Sequence, residues 1–373
     1  ERSGVGRQRA RRRSEWVVME LLEAVDQVAA LEMLHEMGCT DGLPVIIPTA
    51  ELVDRMVLAS GLDGDVVLGE VGPLGGVATV EKLATNAVMA GCSPDYMPFV
   101  LAAMQAVLQP EFDLSEVQST THSIAPLLVV NGPLGAITGI ASGFGALGPG
   151  HRANACIGRA LRLAMMNIGG AQPGVSDMAL LGHPGKFSMC LAEAEHASPF
   201  PPMSEMWGYP TGSDVVTVLG TEAPHSVMFV NDADDPDSPD RLLRIIAEVS
   251  TNAGSNNLYL RTGSVAIALN PEHANVLAKA GWTRSLIQDR LFELCHVRRS
   301  RIRSLNAALT PKGSDDDLIP VFESPDRFLV FVAGADGLYS VVFPSWSAGA
   351  HGNNPVHMAV ASNQACEVPF ATS

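Results

Sequence analysis

Residues 127–131 read Leu127-Leu128-Val129-Val130-Asn131. Gly132-Pro133 and a run of six glycines from Gly135 to Gly150 follow, then His151-Arg152-Ala153-Asn154-Ala155-Cys156 and a segment of helix length ending near Ile168. An uncharged run of strand length, a glycine-rich crossing and a helix is the unit of an α/β protein. A continuous apolar run suits a strand buried on both faces. The same pattern recurs on either side. Strands are expected over 43–47, 215–219, 227–231, 265–270 and 328–333, and helices over 19–37, 49–59, 80–91 and 152–168. Ser93-Pro94, Ser238-Pro239 and Asn270-Pro271 each set a capping side chain before a proline, the signature of a helix start. This alternation predicts an α/β fold with mixed or mostly parallel sheets covered by helices.

Composition bounds the class. The chain has 373 residues, 47% hydrophobic and 17% charged, enough to bury a sizeable core and sparing in polar surface. The sparse charge predicts burial of further surface in an oligomer. The net charge of −16 argues against nucleic acid as a partner. The first eighteen residues carry six arginines and two glutamates, so residues 1–18 read as a solvated basic tail ahead of a start at Met19. Proline and glycine over 198–212 and acidic residues over 231–240 divide the rest into two units, 19–197 with the glycine-rich loop and 213–373. No apolar run is long enough to span a membrane. Six scattered cysteines without a CxxC pair read as free thiols in a reducing cytoplasm.

Chemistry-bearing residues gather at the loop. Glycines let backbone approach a ligand closely, and free N–H groups at a helix start favour anions. Asn131, Gly148, Gly150, Arg152 and Asn154 are therefore expected to bind a small anionic molecule, with Arg159 and Arg162 on roughly the same helical face as Arg152. Nothing in the spacing matches a Walker A or dinucleotide fingerprint, so nucleotide binding is not indicated and the cofactor is left open. Cys156, one turn into the helix, is placed for the dipole and Arg152 to lower its thiol pKa. His122 beside Thr120 and Thr121, and His151, are candidate proton carriers. Asp41, in the turn Asp41-Gly42, projects where α/β sites gather. Glu193, Glu195 and His196, with Asp177 and His183 upstream, offer the alternative of a divalent metal and a metal-assisted hydrolase or hydratase.

Several phrases together resemble a known family: Asp41-Gly42-Leu43-Pro44 with Pro48-Thr49, the run from Ala84 to Cys92, Thr120-Thr121-His122 with Asn131-Gly132-Pro133, and Leu147 through Asn154. Pro184-Gly185-Lys186-Phe187, Pro271-Glu272-His273-Ala274 and Ala280-Gly281-Trp282 extend the likeness, which covers most of the chain from Asp41 to about Gly337. The family is bacterial, and its members tend to be encoded beside small proteins with a Sec/Cys-Gly-Ser-Cys (UGSC-type) motif; some carry thioredoxin-like labels. The resemblance implies a small Cys- or Sec-containing partner subunit and thiol-assisted cleavage or reduction. His151 stands where the family is expected to have tryptophan, and Ala333-Gly334-Ala335-Asp336-Gly337 replaces a Gly-Gly-Pro-Gly-like turn. The expectation is thus a small-molecule enzyme or enzyme subunit, with a non-catalytic scaffold for a thiol protein as the contrasting class.

Overall fold

The computed structural model describes residues 22–361. The basic tail, Met19 and Cys366 lie outside them. Twelve strands occur among the described residues: β1 (Val67–Val71), β2 (Gly76–Thr79), β3 (Ala125–Asn131), β4 (Cys190–Ala192), β5 (Val215–Thr221), β6 (His225–Met228), β7 (Val265–Leu269), β8 (His296–Arg298), β9 (Leu318–Pro320), β10 (Phe328–Val332), β11 (Tyr339–Phe343) and β12 (Val356–Ala359). Two four-stranded mixed sheets dominate, in the orders β12-β5-β3-β4 and β10-β7-β11-β6. Each has one parallel pair, β3 with β4 and β10 with β7, and its other neighbours are antiparallel. The α/β architecture with mixed sheets is as the sequence predicts.

Alternation along each strand explains the layering. Leu127 and Val129 of β3 face Ala266, Ala268, Leu329, Phe331 and Phe343 of the second sheet. Their neighbours Leu128 and Val130 face helices Val80–Met89, Met97–Val107 and Arg152–Asn167. In the second sheet, Val265, Ile267 and Leu269 turn outward onto helices Ser238–Ser250, Pro271–Lys279 and Arg284–Leu294. The order is helices, sheet, sheet, helices, so each central strand is apolar on both faces because one packs on a sheet and the other on helices. Each apolar side chain of these two-sided strands is thereby removed from water, which is favourable by about 25 cal/mol per Å² of apolar surface.

The sheets do not follow the division at 197–213. Strands β5 and β12, both past residue 213, complete the sheet begun by β3 and β4, and the strands of the second sheet lie between them in the chain.

Local expectations fare unevenly. Thr49 caps helix Ala50–Ser60 by accepting from Leu52 N, and Asn270 caps Pro271–Lys279 by accepting from His273 N. Ser238 does not cap; it is the first helical residue, and its hydroxyl donates to Asn231 Oδ1. Residues 43–47 are not a strand. They run extended with Ile46 N donating to Met89 O, because Arg159 holds the carbonyls of Leu43 and Pro44 and no neighbouring strand lies alongside.

Candidate active site

The glycine-rich loop is held by its own chemistry. Asn154 accepts from Ala141 N and donates to the carbonyls of Ala141 and Ala146, pinning the loop over the helix that follows. His151 Nε2 meets the Phe144 carbonyl at 2.9 Å. Arg152 donates from Nε and Nη2 to the Gly91 carbonyl, at 3.2 and 2.8 Å, so its fork is spent closing a neighbouring helix end. Gly150 takes φ +115° and Gly148 packs on the Gly145 carbonyl. The three arginines do not share a face in effect: Arg159 pairs bidentately with Asp41 at 2.8 and 2.9 Å, and Arg162 reaches Asp177 at 2.7 Å. Asp41 is thus a clamp that fastens the turn after Gly38 to helix Arg152–Asn167.

Cys156 is corrected in direction. The dipole and Arg152 were expected to lower its thiol, but burial is the larger effect and pushes it up, against the pull of Arg152. Cys39, Cys92, Cys190 and Cys295 are likewise pushed up by burial, Cys190 to about 12.

The carboxylate cluster is brought together, though not as strand neighbours, because β4 ends at Ala192. Asn131 Nδ2 donates to Glu193 Oε2 at 2.6 Å and to Glu195 Oε1 at 2.8 Å, and Gly132 N donates to the same Glu195 oxygen. Glu193 also accepts from Met203 N and lies 3.4 Å from Arg284, whose other donors hold Pro201, Pro202 and Val330 carbonyls. His196 is exposed and apart from this cluster. Among the described residues no group of three or more His, Cys, Asp and Glu is arranged to hold a metal ion. Glu193, Asn131 and Arg284 instead fasten the two sheets, beside the hydrogen bond from Ala194 N to Val332 O.

A cavity of about 450 Å³ opens one turn further along helix Arg152–Asn167 than Arg159. Arg162 and Met166 form one wall, Asp177 and Ala179 another, and His183, Lys186 and Phe187 a third. Asp177 is the hub. It accepts from Arg162 at 2.7 Å and from Lys186 Nζ at 2.8 Å, with side-chain exposures of 3%, 10% and 15% for Asp177, Arg162 and Lys186. Burial works to raise the carboxyl, but Lys186 and Arg162 outweigh it and hold Asp177 below the usual range. Lys186 is pushed below an ordinary lysine by burial and by the Arg162 charge, with Asp177 pulling the other way.

His183 joins this cavity to His122. Gly185 N donates to His183 Nδ1 at 3.1 Å, which leaves the proton of the neutral ring on Nε2. Burial pushes the ring's pKa down, while the Thr221 carbonyl and Glu222 favour its charged form. Leu180 N donates to Thr121 O and Gly182 N to Ser123 Oγ, so the cavity segment runs beside His122. His122 Nε2 lies 3.2 Å from Glu222 Oε1, and its Nδ1 accepts from Asn256 Nδ2 at 2.9 Å. Glu222 and Asn256 carry no motif in the sequence, and only the fold reveals them as partners of His122. Asp177 and Lys186 had a weak signal: Lys186 is one of four lysines in a chain with twenty arginines.

A second pair is Asp113 with His351. Asp113 accepts from the backbone N of His351 at 2.9 Å and of Asn353 at 3.2 Å, and borders a smaller cavity of about 260 Å³ with His351 and Ser115.

Comparison with known proteins adds no relative. No protein-family model matches the chain, and no curated protein or solved structure matches it. No helix among the described residues is long and apolar enough to cross a membrane.

Proposed function

We propose that this chain is a small-molecule enzyme or enzyme subunit that binds a small organic anion in the cavity between Arg162 and Lys186. One observation carries the reading: a buried cation, Arg162, and a part-buried one, Lys186, share a single carboxylate, Asp177, in a cavity walled mainly by apolar residues, with His183 and Asp41 also in its lining. Asp41, the other carboxylate of the lining, is already matched by Arg159. The wall therefore keeps an unbalanced positive charge in a protein whose net charge is −16. A carboxylate with a short apolar body would satisfy both parts of this surface. The anion site is thus placed at Arg162 rather than at Arg152, whose Nε and Nη2 are held by the Gly91 carbonyl. His183, which lines the cavity with His122–Glu222 behind it, is the group proposed to move protons.

Thiol chemistry, where it enters, would come from a second protein, because burial raises each described thiol of this chain. A small Cys- or Sec-bearing subunit rests on the family resemblance alone. Leu180 and Leu181, 85% and 94% exposed beside the cavity, support the expected oligomer.

The test is calorimetric titration with butanoate and with the neutral butanamide. Butanoate should bind and the amide should not; Arg162→Met should abolish binding and Arg152→Ala should leave it intact. Equal affinity for acid and amide, or loss on Arg152→Ala alone, would overturn the assignment.

A further inference from the structure

Among this chain's cations the cavity holds one that can become a nucleophile. Arginine outnumbers lysine twenty to four, yet a lysine occupies the part-buried position that shares Asp177 with Arg162. An arginine there would make a stronger fork to Asp177 but could never lose its proton, whereas a lysine can. Lys82 is half-buried with its ammonium on the Val77 carbonyl, and Lys279 and Lys312 are exposed.

We propose that Lys186 forms an imine with a small 2-oxo acid whose carboxylate is held by Arg162. This rests on the anion-site reading above and names its substrate class. Three features of geometry support it. Lys186 and Arg162 converge on the two oxygens of one carboxylate, so they stand a few ångströms apart, and a 2-oxo acid carries its carboxylate and its carbonyl on adjacent carbons. Arg162 makes one hydrogen bond among the described residues, through Nη2, leaving Nε and Nη1 to take an incoming carboxylate. Met166, Leu181 and Phe187 line the remaining space and suit an alkyl tail.

The electrostatics agree. Burial and the neighbouring guanidinium both favour the neutral amine of Lys186, the arrangement by which a lysine is activated for attack on a carbonyl. The step balances without an oxidant or reductant. The ammonium first gives a proton to solvent. The amine nitrogen attacks the carbonyl carbon, forming the C–N bond, and the oxygen takes a proton supplied through His183. The carbinolamine nitrogen gives one of its two protons to solvent, the hydroxyl takes a second proton through His183 and leaves as water as the C=N bond forms, and the resulting iminium releases its last N–H proton. The product is one imine and one water.

The experiment uses the full chain with 2-oxobutanoate and cyanoborohydride, which reduces an imine to a stable secondary amine. Adduct is read by intact mass and located by peptide mapping. Lys186 should be modified at least ~10-fold faster than Lys279 or Lys312, and butanoate should protect it. Lys186→Arg, which keeps the charge and the ion pair, should lose the adduct while retaining butanoate binding. Adduct spread evenly over the lysines, or none at Lys186 although butanoate binds, overturns the imine and leaves the anion site standing. If neither acid binds, both readings fall.

Discussion

His351 donates from Nδ1 to Asp113 Oδ1 at 2.8 Å, and Asp113 makes this contact from a left-handed backbone, φ 54°. The hydrogen bond to Asp113, then its charge and those of Glu111 and Glu116, hold the His351 imidazolium above the usual histidine range. A histidine raised in the fold contributes stability that is complete below its unfolded pKa, about 6.5, and lost as pH climbs through the folded value. The melting temperature should therefore fall as pH rises above that unfolded value, and His351→Asn should flatten that decline. An identical pH profile in the variant would remove this link.

Arg284 and Glu193 illustrate a pair that adds little stability and is costly to break. Burial pushes the Glu193 carboxyl up and the Arg284 guanidinium down, so desolvation outweighs their attraction across 3.4 Å. Replacing Arg284 with Met leaves a carboxylate at the sheet junction without its cation, a change that costs about 3 kcal/mol. The deficit should shrink as pH falls, because Glu193, its pKa raised by burial, takes up a proton before an ordinary glutamate does. Urea unfolding at pH 5 and pH 7.5 measures both; an equal deficit at the two would show that lost packing dominates.

Gly132 should tolerate no side chain. It adopts φ +97°, and a Cβ there would lie 2.4 Å from Asp214 Oδ1 and 2.6 Å from the Ser213 carbonyl. Gly132→Ala should cost at least ~2 kcal/mol, combining backbone strain with the clash. It should also loosen Glu195, which accepts from Gly132 N. Gly139→Ala is the control: its φ is +77° but nothing lies within 4 Å, so only the backbone part of the cost should appear.

Thiol reactivity should be low. With Cys39, Cys92, Cys156, Cys190 and Cys295 all raised by burial, the native protein should react with iodoacetamide at neutral pH more slowly than glutathione at each of these positions. Mass mapping resolves them, and a Cys156 that outpaces glutathione would restore it as a nucleophile.

What the sequence makes legible follows burial. Val265–Leu269 and Phe328–Val332 stand out as strands because both faces are covered and nothing polar interrupts them. β11 and β12 escape notice: Tyr339 is exposed, Val341 is only part-buried, and β12 has just four residues beyond a polar loop. The site is less legible. Arg152, Arg159 and Arg162 look equivalent along one helix, yet their partners, a carbonyl from residue 91, a carboxylate from residue 41 and one from residue 177, come from distant segments. No local pattern says which arginine faces a cavity. His122 was singled out for its hydroxyl neighbours, whereas its partners Glu222 and Asn256 arrive through the pairing of β3 with β5 and the short helix Asn256–Leu260.

The nesting of one sheet inside the other has a practical meaning for anyone cutting the gene. Thr217 and His357 face each other across β5 and β12, so an excision between Thr221 and Val356 would rejoin two strands that already pair, as a plain hairpin. The shortened product would keep every strand of the first sheet. It would also turn Leu127, Val129 and Leu219 out to water as a bare wall, a surface that invites stacking with its own copies. A fragment designed from this fold must bring its own cover for that wall, or carry polar replacements on it.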